Sequence, residues 1–362
     1  MQGKNSNCTA FIGTFTSGDN KGIYIYNVDL QTGMLKQIGI SPKIDNPSYL
    51  TITKDNNFLY SVIETNEFEN AYGGAVASFS IDKNTDRLKL LNIQPTKGKG
   101  PCYILTDSKR RFLFTANYAE GTLSEFPIES DGRIGPLLFT VNDYDYDFGT
   151  KPAGSPHAHF VAFTPDERYL CSVDLGLDRI YFFEFNHENG ELIFSRNISL
   201  SLAAGKGPRH LAFHPEANFV YIISELSSEI FVFKYDPSDY KLHNIQTVSA
   251  LPEGYTGKST CAAIHISKDG KFLYASNRGH DSIAAFKINE TSGRIELISH
   301  YSTRGKCPRD FGISPDGNYL YALNQSSDTI VSFDIDKQTG ALIPTNDIVN
   351  VPAPVCIKFL SR

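Results

Sequence analysis

The 362-residue chain sets 34 Lys and Arg against 40 Asp and Glu, a formal net charge of −6 with no basic stripe, which argues against nucleic acid as a partner. No run reaches about 18 apolar residues, so no transmembrane helix and no membrane partner are expected. The opening MQGKNSNCTAFIGTFT has no basic region followed by an apolar one, so the sequence points to a cytoplasmic protein without a signal peptide. With 25 Phe, 19 Tyr and no Trp, the composition leans toward strand. The six cysteines form no C-x-x-C pair, so zinc spacing is absent, and free, mostly buried thiols are expected.

In chain order, residues 8–40 hold three strand-like runs, AFIGTF, GIYIYNV and MLKQIG. Six fuller units follow. They open PSYLTITKDNNFLYSV at Pro47, PCYILTDSKRRFLFTA at Pro101, AHFVAFTPDERYLCSV at Ala158, PRHLAFHPEANFVYII at Pro208, CAAIHISKDGKFLYAS at Cys261 and PRDFGISPDGNYLYAL at Pro308. Each shows a proline or small residue, an alternating apolar run, a polar turn and then Phe-Leu-Tyr or a relative. Further runs such as IAAFKIN and IVSFDID and a Gly-containing turn complete the unit. The period is about 50 residues, which propellers show and sandwiches do not. The last run, PVCIKF at 354–359, matches only the first run of a unit. The prediction is an all-β, seven-bladed propeller of four-stranded antiparallel blades, one domain over 1–362. Its ring is closed by the C-terminal strand pairing with the partial blade 8–40, which removes an open edge.

The innermost strand of each blade lines the channel of such a ring. Alignment on the Phe-Leu-Tyr element puts Ser48, Cys102, His159, Arg209, Ala262, Arg309 and Val355 at one position, directly after the anchor. Glu64, Tyr118, Leu175, Glu225, Arg278 and Gln325 occupy a second. Strand alternation places His157 on the face of His159. Ring symmetry gathers these groups at one mouth. The plainer alternative is that charged residues at a wet mouth are merely solvated.

Opening an ester or lactone with water needs a base, a donor for the developing oxyanion and a grip on the substrate. Glu225 or a neutral His157 or His159 supplies a base, and Arg209 or Arg278 supplies oxyanion and anion contacts. Those five form the candidate catalytic set. Glu64, Tyr118, Arg309 and Gln325 are the candidate substrate-binding residues. No G-x-S-x-G elbow is present. Gly257-Lys258-Ser259 ends like a P-loop, but Pro252 occupies the earlier glycine position. Asp143, Asp145 and Asp147 alternate like the start of a calcium loop, but Phe148 stands where glycine is needed, so an exposed acidic loop with at most weak cation binding is expected. Lys99, Lys206, Lys258 and Lys306, each beside a glycine, suggest solvated turns or a loose positive rim.

Beyond these readings, the chain resembles the lactonase family of seven-bladed propellers, which includes bacterial cycloisomerase-2-type 6-phosphogluconolactonases and the fungal carboxymuconate lactonising enzyme. The likeness spans the chain and is carried by FIGTFTSGDNKGIYIYNVD, GSPHAHFVAFTPDERYL, GKGPRHLAFHP, SNRGHDSIAAFKI and GKCPRDFGISPDGNYLYALN. The resemblance implies a site of one His, two Arg and one Glu. The His falls on His157 or His159, the arginines on Arg209 and Arg278, and the Glu on Glu225. It implies no metal and no organic cofactor. The expected function is hydrolysis of a small anionic lactone, foremost 6-phosphogluconolactone, in the pentose phosphate pathway, by a monomer or weak homodimer. A dicarboxylate cycloisomerase and a non-enzymatic binding propeller are the alternatives.

Overall fold

The alternating runs fold as strands because each buries one row of side chains against the neighbouring blade. The computed structural model describes residues 7–17, 20, 22–146, 149 and 154–360. Seven antiparallel sheets form the ring. In blade 1, Pro354–Leu360 pairs with Asn7–Thr14, followed outward by Tyr24–Asp29 and Leu35–Ile40, so strands from both chain ends share one sheet. The inner strands of blades 2 to 7 are Leu50–Ile52, Pro101–Thr106, Ala158–Phe163, Pro208–Phe213, Thr260–Ile266 and Pro308–Ile313. Among the described residues no helix is long and apolar enough to cross a membrane. All six cysteines are free thiols, four of them buried.

In blades 2, 5, 6 and 7 the repeated Phe-Leu-Tyr element joins the blade to the next. Tyr60, Tyr221, Tyr274 and Tyr321 are fully buried. Their hydroxyls donate to the carbonyl oxygens of Gly132, Gly293, Gly340 and Gly33 at 3.0, 2.9, 3.0 and 3.1 Å, each glycine in an outer turn of the following blade. The aromatic residue two places earlier covers the same glycine. A Cβ on Gly132 would lie 2.1 Å from the Phe58 ring, and one on Gly340 would lie 2.3 Å from the Phe272 ring. Both glycines have φ near +80°, at +87° and +74°. Glycine therefore serves twice, for the turn and for the ring packed on it.

Blade 3 departs from this pattern. Phe114 stands where blade 2 has Tyr60 and blade 4 has Cys171, and Glu125 lies opposite it in the pairing, where blade 2 sets Ser78 opposite Tyr60. Glu125 is 1% exposed, and neither carboxyl oxygen has a hydrogen-bond partner among the described residues. Burial, with a smaller contribution from Asp107, pushes its carboxyl up to about 9. Two local features also differ from the four regular runs expected. A short hairpin, Glu67–Phe68 with Ala71–Tyr72, is inserted between the second and third strands of blade 2. The outer edge of blade 4 is split into Leu192–Phe194 and Leu200–Ser201.

A carboxyl raised on folding costs nothing below its unfolded pKa near 4.3, and the cost grows as pH climbs toward the folded value. Glu125→Gln is therefore expected to leave stability almost unchanged at pH 4.5 and to raise it at pH 8 by on the order of 5 kcal/mol. Thermal melts of both proteins at the two pH values check this. An equal difference at both would show that Glu125 is not the titrating group.

Candidate active site

The channel wall is built by a repeated irregularity. In blade 3, Pro101 pairs with Asn117 but Tyr103 pairs with Ala116, leaving Cys102 out of the ladder. The same skip leaves out His159 in blade 4, Arg209 in blade 5 and Arg309 in blade 7. On the closing strand it leaves out Val355. Blade 6 has one extra residue in the stretch between Cys261 and Ile264. A β-bulge of this kind bends the strand and re-aims a side chain. Ser48, Cys102, His159, Arg209, Arg309 and Val355, one from each of six blades, line a single axial cavity together with Glu64.

The second aligned position is fixed by a matching backbone bond. The amides of Tyr118, Leu175, Glu225 and Gln325 donate to the carbonyls of Gly100, His157, Gly207 and Cys307 at 2.7–3.0 Å. Each inner strand is thus tied at its entry to the end of the second strand, and the two charge-rich positions meet.

Glu225 is the centre of the charged group. Its Oε2 lies 2.9 Å from Arg209 Nε and 2.7 Å from Arg278 Nη2. Arg209 Nη1 also donates to Ala262 O at 2.8 Å, and Arg278 Nη2 to Cys261 O at 2.8 Å. The side chains are 3%, 18% and 13% exposed for Arg209, Glu225 and Arg278, so the triad is largely removed from water. Burial alone would raise the Glu225 carboxyl, but Arg209 and Arg278 outweigh it and hold the group below the usual glutamate range. The carboxylate is therefore ionised and fully engaged, a poor proton acceptor but a firm brace for two guanidinium groups. Burial and the neighbouring Arg278 lower Arg209 to about 10, which still leaves it charged at neutral pH.

The two histidines differ. His157 Nδ1 lies 3.0 Å from Tyr118 O. A carbonyl only accepts, so Nδ1 is the donor, and the neutral form of the ring has its lone pair on Nε2. The ring stacks on Tyr118 with centroids 4.7 Å apart. The backbone amide of His157 donates to both Asp174 carboxyl oxygens at 3.0 and 2.9 Å, which fixes the loop carrying it. His159 is buried, packed edge-on to Tyr118 and to His210. Burial, then the charges of Arg209, Arg309 and Arg278, push its pKa well below the usual histidine value, so it is neutral.

The remaining candidates separate. Glu64 accepts a short hydrogen bond from Ser48 Oγ, and burial raises its carboxyl against the pull of Arg309 and Arg209. Tyr118 is half-buried between the two histidines. Arg309 lies over the Phe15 ring, 5.2 Å from its centroid. Among the described residues the Gln325 side chain meets Cys307 alone, its Oε1 3.9 Å from Sγ, and no side-chain contact ties it to the other site groups. Of the rim lysines, Lys206 is held by Glu229 at 2.6 Å and Lys99 lies over Tyr72. The expectation of an exposed acidic loop fails at Asp143, which is fully buried and accepts from Ser172 Oγ at 3.0 Å. Asp145 is exposed, and Asp147 and Phe148 lie outside the described residues.

Sequence reasoning missed the layer beneath. Because of the bulges, the residue after the skipped position also turns inward in blades 3, 4, 5 and 7, as Tyr103, Phe160, His210 and Asp310. His210 Nε2 accepts from Arg209 Nη1 at 3.2 Å, and its ring lies 4.9 Å from that of Phe160. Tyr49, Tyr103 and Phe160 pack in series, their rings tilted and their centroids 4.0 and 4.3 Å apart. Lys358 donates to Tyr49 Oη at 3.1 Å, and Asp310 lies 3.2 Å from His265. This layer floors the site.

Comparisons with known proteins agree with the geometry. Residues 9–359 match the family model described as lactonase, 7-bladed β-propeller. The chain is 38% identical over 357 residues, 97% of its length and 98% of the relative's, to a 6-phosphogluconolactonase of Bacillus subtilis. A 6-phosphogluconolactonase of Formosa agariphila is 35% identical over 84% of this chain and 85% of its own. The solved structure of a periplasmic gluconolactonase from Pseudomonas aeruginosa superposes with a TM-score of 0.91 at 30% identity, covering 98% of this chain and 99% of that one. The repeat, the ring and the full-length match make this chain a member of the seven-bladed β-propeller lactonase family.

Proposed function

We propose that the chain hydrolyses a sugar-acid lactone, 6-phosphogluconolactone foremost, to the open acid. The reading rests on His157, tied through Nδ1 to Tyr118 O and stacked on the Tyr118 ring that also meets His159, together with two arginines braced by one carboxylate. Names borne by relatives in Bacillus subtilis and Formosa agariphila support the substrate.

In this mechanism His157 Nε2 takes a proton from water as the oxygen attacks the lactone carbonyl carbon. The tetrahedral oxyanion forms beside Arg209 and Arg278, whose positions Glu225 has already set, so little reorganisation is required as charge develops. The ring C–O bond then breaks, and the imidazolium returns its proton to the departing alkoxide. Neutral His159 and Tyr118 shape the wall and hydrogen-bond sugar hydroxyls, while Glu64, Arg309 and Gln325 are assigned to the rest of the substrate. A phosphorylated sugar does not cross a membrane unaided, which favours a cytoplasmic setting where glucose 6-phosphate is oxidised, the pentose phosphate route. Every proposed site residue comes from one chain, so a monomer suffices.

His157→Asn keeps a polar ring-sized group but loses the base. It is expected to lower kcat about 100-fold or more, within the usual range for removal of a general base, with KM little changed. Initial rates of 6-phosphogluconate formation, corrected for spontaneous opening, check this. An unaltered kcat would remove His157 from the role. Glu225→Gln leaves two guanidinium groups facing one another without their carboxylate, and a loss of about 3 kcal/mol is expected. The carboxylate's contribution is full above the unfolded glutamate pKa near 4.3 and fades as pH falls through its lower folded value. The gap between wild type and variant should therefore be wide at pH 7 and narrow near pH 3, as read by denaturant titration. A gap independent of pH would contradict the triad's ionisation.

A further inference from the structure

The site contains three arginines, and they are not equivalent. Arg209 and Arg278 are both spent on Glu225 and on backbone carbonyls. Arg309 has no carboxylate within 4.0 Å and no hydrogen bond among the described residues. Its plane is supported by Phe15, which leaves the edges of the guanidinium fork open. Of the acidic groups that share its cavity, Asp310 lies 3.2 Å from His265, and Glu64 is bonded to Ser48, with burial disfavouring its charge. Lys306, exposed and three residues before Arg309, has no acidic partner within 4.0 Å among the described residues and adds to the positive field there.

Position gives this asymmetry a meaning. His159 and Arg309 line the same cavity from blades 4 and 7. Three steps around a seven-membered ring carry a side chain nearly to the opposite wall. The channel mouth thus has a reacting wall of imidazoles, a braced guanidinium pair beside it and one uncommitted guanidinium across from it. An oxyanion is a transient single charge and suits the braced pair. A phosphate is a permanent, nearly double charge, and the open fork of an unpaired arginine fits it with two parallel hydrogen bonds.

We infer that Arg309 is the residue that reads the phosphate of a phosphorylated sugar lactone, holding it across the channel from His157. The inference rests on the lactonase reading and makes it sharper. The family itself leaves the matter open, because its named members include both 6-phosphogluconolactonases and a gluconolactonase.

The test compares 6-phosphoglucono-δ-lactone with glucono-δ-lactone for the wild type, Arg309→Gln and Arg309→Lys, each checked for an unchanged thermal melt. The ratio of kcat/KM values, phosphorylated over unphosphorylated, is expected to fall about 30-fold or more in Arg309→Gln, the range for losing a charge-assisted pair. It should fall several-fold less in Arg309→Lys, which keeps the charge without the fork. A ratio unchanged by Arg309→Gln, with both substrates lost in equal proportion, overturns the inference. Thermal stabilisation by 6-phosphogluconate against gluconate gives a readout free of turnover. Wild type should be stabilised more by the phosphorylated acid, and Arg309→Gln should erase the difference. If wild type opens neither lactone, the lactonase reading fails, and this binding comparison still decides the role of Arg309: a preference for 6-phosphogluconate that survives in Arg309→Gln overturns it.

Discussion

The site exists because inner strands leave their ladders one residue after entering them. A regular strand would alternate its side chains between two blade faces and bury them all. The skip at Cys102, His159, Arg209 and Arg309 instead delivers consecutive residues toward the axis. One residue lines the upper cavity and the next forms its floor. Ring closure through Pro354–Leu360 makes the device work as a set, since side chains from separate blades converge only when the sheets surround one axis.

Gathering three arginines into a wall largely shielded from water then dictates the state of its neighbours. Burial first, and then the neighbouring cations, raise the cost of any further positive charge, so His159 and His210 are held neutral. The same cations keep Glu225 ionised despite its burial. Glu64, farther from the pair and more deeply enclosed, goes the other way and is raised. One electrostatic environment thus yields a carboxylate that braces, imidazoles that stay neutral and a histidine, His157, whose tautomer is set by a backbone carbonyl rather than by the arginines.

Much of this was legible in the sequence. The repeat of about 50 residues, with Phe-Leu-Tyr and its glycine turn, encodes the blade contact directly, because the Tyr hydroxyl and the Phe ring both seek that glycine. The orphan run PVCIKF announced closure. Aligning the repeats brought Arg209, Glu225 and Arg278 together, since equivalent positions in a ring are neighbours. What stayed hidden has physical reasons. A bulge changes the register by one residue without any mark in the apolar pattern, so His210, Asp310 and Lys358 went unnoticed. The choice between His157 and His159 depends on a hydrogen bond to a residue some forty positions away. Gln325 shares the aligned position with Glu225 yet turns to Cys307, because alignment fixes where a backbone lies and not which partner a flexible amide meets. Asp143 reads as loop by composition but is buried behind Ser172.

The most direct test of the account is a crystal structure of the protein with 6-phosphogluconate bound. The carboxylate is expected beside Arg209 and Arg278, within reach of His157 Nε2, with the phosphate on the far wall against Arg309. A ligand seated away from this mouth, with His157, Arg209 and Arg278 untouched, would contradict the central claim that these blades converge to build the lactone site.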